Sequence, residues 1–226
     1  MKFSDKKINI RKYETWPWDF VREDGKIHAD FLKEIWTDSE QITEEWQSYK
    51  WMPGENGESV IDIGCGHARW LEYFVNIKKM NYAGLDNSSQ MIKICNESYP
   101  NYKFIKALIP QNSFDQTVLP FQNDEFDLIF CHEVLRHLFQ AERSVMPEFF
   151  RIAKKYVAVS QLVTNGPSIE IQHYHGAVDI NINKKEMDQI MDELAIQAGW
   201  SKPNAHCVYN IAHRSCFMYV FKKEKI

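Results

Sequence analysis

The chain has 226 residues, enough for one domain with a substantial core, and its 44% hydrophobic and 26% charged residues are an ordinary globular balance. A formal charge of −4 and a pI near 6.1 leave no basic footprint for nucleic acid. No apolar run reaches the length of a membrane span, and the polar start Met1-Lys2-Phe3-Ser4 is not a signal peptide, so a cytoplasmic protein is expected. The five cysteines (65, 95, 131, 207, 216) form no C-x-x-C pair, which points to free thiols rather than a disulfide or metal framework.

Residues 1–52 are aromatic-rich, holding Trp16, Trp18, Trp36, Trp46 and Trp51. Apolar spacing in Phe31-Leu32-Lys33-Glu34-Ile35-Trp36 predicts a helix, so this segment is expected to form a helical, aromatic cap. The cluster Pro53-Gly54-Glu55-Asn56-Gly57 marks a turn into a single globular unit over 53–226. From there strands are expected near 59–63, 81–85, 103–106, 127–131 and 156–161, and helices near 68–78, 88–98, 140–153 and 184–198. Such alternation predicts right-handed crossovers and a parallel sheet covered on both faces. The last two apolar runs, 205–209 and 215–221, predict a terminal hairpin, which adds an antiparallel strand and brings the total to seven.

The stretch Val60-Ile61-Asp62-Ile63-Gly64-Cys65-Gly66-His67-Ala68-Arg69 carries the most chemistry. A strand feeds an acid and two glycines, and a second strand ends on Asp86, twenty residues past Gly66. This geometry suits a nucleotide-like ligand at the carboxyl ends of two adjacent strands, with Asp86 able to take a ribose. The dinucleotide fingerprint fails, because Arg69 stands where a third small residue belongs; no Gly-Lys-Ser/Thr phosphate loop exists either. An acid at Asp62 would repel a pyrophosphate but suits an ammonium or sulfonium charge.

In these residues the chain resembles the class I S-adenosylmethionine-dependent methyltransferases over roughly 57–222. Asp86 matches their ribose acid, and Leu119-Pro120-Phe121 through Phe126-Asp127 and Cys131-His132-Glu133-Val134-Leu135-Arg136-His137 are similar to their fourth-strand region. The resemblance implies a Rossmann-like, seven-stranded, mostly parallel α/β sheet with an antiparallel C-terminal strand. It implies S-adenosyl-L-methionine as cofactor, held by Asp62, Gly64, Cys65, Gly66, Asp86, Asn87, Met91, Cys131 and His132. The chain departs from the family after the third strand, where Lys103 to Pro110 offers no acid to read adenine.

The reaction expected is transfer of a methyl group to an oxygen or nitrogen of a small polar metabolite. Candidate bases are His173 and His175, on one side of an extended segment after the fifth strand, and His132 at the end of the fourth. Two histidines lack a third ligand at motif spacing, so no metal is expected. The alternatives are a protein, peptide or RNA methyltransferase, or a non-catalytic adenosylmethionine-binding scaffold. Partners expected are a small-molecule acceptor, with neither membrane nor nucleic acid.

Overall fold

A computed structural model describes Trp46, residues 49–110, 114, 116–138, 141–172, 178–211 and 214–224. Most of the expected aromatic cap lies outside these residues; of it, Trp46 and 49–52 are described. Tyr49 and Met52 are buried against the core that follows.

Nine described strands form one sheet. The central strands are β1 (Ser59–Ile63), β2 (Asn81–Asp86), β3 (Lys103–Lys106), β4 (Phe126–Cys131) and β5 (Ala153–Thr164). They lie in the order β3-β2-β1-β4-β5, all parallel. This order reverses between β2 and β4 on either side of β1, so a crevice opens above the carboxyl end of β1, where α/β sheets place their ligands.

The helices are α1 (Ser89–Ser98), α2 (Glu142–Ile152) and α3 (Lys184–Ala198). Ser88 caps α1 by accepting from the Met91 amide at 3.1 Å, and Asn183 caps α3. The helix expected at 68–78 is different: a turn leads into a π-helical segment, Tyr73–Ile77, closed by the Lys78 amide on the Tyr73 carbonyl at 3.0 Å.

The C-terminal hairpin is β8 (Asn204–Ile211) and β9 (Arg214–Lys222), with β9 antiparallel to β5. An additional hairpin, β6 (Ile169–Gln172) and β7 (Val178–Asn183), occupies the stretch expected to be a loop. Seven expected strands therefore become nine. Because β9 runs along one edge of β5, β7 must take the other edge, beyond the point where β4 stops.

Alternation divides the side chains of the sheet. On one face Val157, Val159, Tyr219 and Phe221 join Met146, Phe149, Met187 and Met191 of α2 and α3. On the other, Phe130, Ala158 and Met218 join Tyr49, Trp70, Tyr73 and Phe74. Trp70 and Phe130 meet edge to face at 5.1 Å. No helix among the described residues is long and apolar enough to cross a membrane.

Candidate functional site: the crevice above β1

The two loop glycines do different work. Gly64 has φ +75, and a Cβ there would stand 2.3 Å from Val134 Cγ2, so its missing side chain makes room for the chain leaving β4. Gly66 has φ +54, and a Cβ there would meet nothing within 4 Å. Its bare backbone faces open space, as a bound ligand requires. A second close approach lies one strand over, where a Cβ on Gly84 would meet Cys65 Sγ at 2.8 Å. Cys65 is thus a packing residue on β2, and Cys95 Sγ of α1 sits 3.1 Å from the Gly66 carbonyl. Ala68, at φ 64, is left-handed as well.

Asp86 holds this loop in place. Its Oδ2 accepts from the Gly66 amide at 2.9 Å and its Oδ1 from the Ser88 amide at 2.8 Å. One carboxylate therefore ties the glycine loop to the start of α1, and it lies at the end of β2 on the crevice side. Asn87 anchors the segment after β3, its Oδ1 accepting from the Ile109 amide at 2.7 Å. Met91 is buried in the first turn of α1. Ser113 and Asp115, the polar residues in the loop after β3 that could read adenine instead, lie outside the described residues.

Asp62 is 2% exposed, and Tyr82 donates to its Oδ2 at 2.7 Å. Tyr82 pairs with Val60 across β1 and β2, which puts its ring on the same face as Asp62. Burial pushes the Asp62 carboxyl up to about 7, and the charge of Asp86 adds to this; the Tyr82 bond and Arg69 oppose it. Two carboxylates thus converge on the crevice, one of them only partly ionised near neutrality. A ligand bearing positive charge relieves that cost directly.

Cys131 ends β4 fully buried, its thiol raised chiefly by burial. His132 follows, packed 5.2 Å from Trp70 and 5.6 Å from Tyr49, ring centre to ring centre. Its Nε2 shares a 2.5 Å hydrogen bond with the Tyr49 hydroxyl. Burial lowers its pKa to about 4; Arg69 and Arg136 act in the same direction and Glu133 against it. His132 is consequently neutral at pH 7. His173 and His175 fall between the paired residues Gln172 and Val178 and lie outside the described residues.

Sequence reasoning overlooked Glu133. It adopts φ 58, a conformation that costs a side-chain-bearing residue on the order of 1–3 kcal/mol, and its amide donates to Ser160 Oγ at 2.6 Å. Its Oε1 accepts from Arg136 at 3.0 Å and from the Tyr209 hydroxyl. Burial alone would raise its pKa, but His132, the Tyr209 bond, Arg136 and Arg69 outweigh it and hold the carboxyl below its ordinary value. Tyr209 lies 76 positions away, so no local pattern could have paired the two.

Residues 61–158 match a family model described as a methyltransferase domain. The ubiquinone/menaquinone biosynthesis C-methyltransferase of Campylobacter jejuni is 29% identical over 102 residues, 42% of this chain and 40% of that protein. The chain thus spans about two fifths of this curated relative. A S-adenosylmethionine-dependent methyltransferase from Aquifex aeolicus aligns with a TM-score of 0.61 at 17% identity, over 87% of this chain and 99% of its own. The 1,6-didemethyltoxoflavin-N1-methyltransferase of Burkholderia thailandensis, solved with 1,6-didemethyltoxoflavin and S-adenosylhomocysteine, aligns at 0.60 and 14% identity, over 87% and 84%. With the glycine loop, its two acids and the terminal antiparallel strand in place, residues 61–158 are similar to a methyltransferase domain, and the chain shares the fold of these solved S-adenosylmethionine-dependent methyltransferases.

Proposed function

We propose that the chain is an enzyme transferring a methyl group from S-adenosyl-L-methionine to an oxygen or nitrogen of a small polar acceptor. The observation that carries this reading is the pair Asp62 and Asp86 flanking the open, left-handed backbone of Gly66. A buried, half-ionised acid beside a second carboxylate suits a ligand with a cationic amine, a sulfonium and a vicinal diol. Asp86 would take the diol while keeping its two backbone bonds, Asp62 would face the amine, and Gly66 would admit the methionine part. Cys131 and His132 would line the crevice beside the reacting sulfur.

Bound there, the cofactor supplies a methyl group already activated by positive charge. The protein's task is then alignment and exclusion of water, which can contribute up to ~10 kcal/mol. The aromatic surround of Tyr49, Trp70 and His132 serves that exclusion. His132, buried and with its Nε2 taken up by the Tyr49 hydroxyl, fits a wall of the site better than a base. For a base, His173 and His175 stand as candidates beside the residue argued below. The toxoflavin enzyme's small heterocyclic ligand favours a small acceptor, whereas the C-methyltransferase relative allows carbon as the receiving atom.

Calorimetry with S-adenosylmethionine tests the first half, and absence of binding would refute it. Methyl-labelled cofactor with a small-metabolite extract tests the second: label in small molecules is expected, and label confined to macromolecules would favour a polymer substrate.

Binding is also expected to release protons. Near pH 7 Asp62 is about half protonated in the free protein, and a cation beside it ionises it, so roughly half a proton leaves per ligand bound. Titrations in two buffers of different ionisation enthalpy measure this number. Asp62→Asn should abolish the release and weaken binding; unchanged release would move the effect to another group.

A further inference from the structure

We propose that Glu133 is the acceptor-side base of this site and that Tyr209 is its positioning residue, delivered by a bulge in β8. The inference rests on the methyl-transfer reading and adds to it the group that takes the acceptor's proton.

The bulge is the first observation. Along β8, His206 pairs with Met218 and Cys207 with Phe217, but the next pairing is Tyr209 with Cys216, so Val208 is the extra residue. Without that insertion Val208 would face Cys216 and the Tyr209 ring would point to the opposite face of the sheet. With it, Tyr209 joins the face that carries Ser160 and Cys216 and reaches Glu133. Bulges that re-aim a side chain recur beside active sites.

The second observation is how unevenly the Glu133 carboxylate is bonded. Both donors, Tyr209 and Arg136, go to Oε1, and no described residue donates to Oε2. The side chain is 26% exposed, at the carboxyl end of β4 one residue past His132. The backbone there is left-handed and held by Ser160. Strain at a strand end, with one oxygen clamped and the other taking no bond from a described residue, is the arrangement a base needs. Charged or titratable groups that face it are His132 and Arg69 from the β4 and β1 ends, Arg136 from the turn, and Tyr209 and Cys216 from the terminal hairpin.

In the step, the acceptor's O–H or N–H bond breaks and its proton passes to Oε2, making a carboxylic acid. The freed pair forms the bond to the methyl carbon, while the pair of the carbon–sulfur bond stays on sulfur. The acid then returns its proton to water. Charge balances, since one cation and one carboxylate become neutral together.

Four measurements test this. Calorimetry should give Glu133→Gln a cofactor affinity within about threefold of wild type, while transfer of labelled methyl to the metabolite extract falls roughly 10²–10⁴-fold. Glu133→Asp should recover part of that rate. In cofactor-free protein carrying ¹³C-glutamate, the carboxyl signal missing from Glu133→Gln identifies Glu133. Its titration should move to higher pH in Tyr209→Phe, and the acidic limb of the pH–rate profile should move with it. Removing the phenol takes away a donor to the ionised form, which fixes that sign. Labelling by Glu133→Gln at the wild-type rate overturns the proposal alone, as does a Tyr209→Phe titration that stays put. Wild type that binds cofactor but labels nothing overturns the enzymatic reading and this proposal with it.

Discussion

Gly64→Ala is expected to lower the unfolding midpoint by about 4–20 °C, whereas Gly66→Ala, two positions on, mainly removes cofactor binding. At Gly64 two costs combine. Its φ of +75 penalises any L side chain by about 1–2 kcal/mol, and its new Cβ would stand 2.3 Å from Val134 Cγ2, an overpacking of about 1–3 kcal/mol. Together that is a large share of a typical stability of about 5–15 kcal/mol. At Gly66 the backbone cost is the same, but the added methyl meets nothing in the protein and projects into the space proposed for the ligand. Thermal unfolding and calorimetry on the two variants separate these effects. A Gly66→Ala protein less stable than Gly64→Ala, with cofactor affinity intact, would contradict this division of labour.

Asp86→Ala should have the largest effect on binding. The substitution removes the acceptor of two amides, on Gly66 and Ser88, and the oxygens proposed to take the ribose hydroxyls. Hydrogen bonds to a charged group contribute about 1.5–3 kcal/mol each, so losing the two ribose bonds alone weakens binding by roughly 10²–10⁴-fold. Asp86→Asn provides a second, independent readout. Without the negative charge of Asp86, Asp62 should titrate lower, so proton release on binding near pH 7 should shrink even where binding persists. If Asp86→Ala binds like wild type, the pocket assignment is wrong.

Much of the fold was legible because it rests on local patterns. The strands at 59–63 and 103–106, and the helix over 184–198, were expected within their observed limits. The inserted hairpin was not, although Ile169 and Ile171 alternate with polar residues, as do Val178, Ile180 and Ile182. That period was visible, but four-residue runs beside glycine carry little weight until a partner strand is known. The π-helical turn over Tyr73–Ile77 had no signal at all, since an amphipathic pattern does not distinguish hydrogen bonds four residues apart from those five apart.

The site divides along the same line. Asp62, the two glycines and Asp86 stand at spacings set by strand length and turn chemistry, so the sequence by itself brought them to one crevice and pointed to the ligand class proposed there. It could not say that Gly64 serves packing while Gly66 faces open space, because Val134 lies 70 positions downstream of Gly64. Nor could it ionise or neutralise its own acids: Asp62 is raised, His132 lowered and Glu133 held down by burial and by neighbours from other elements. Only the tertiary structure decided that Glu133 and Tyr209 meet. The reason is that a one-residue bulge in β8 reverses which face a side chain takes, and a bulge exists only in the pairing of two strands.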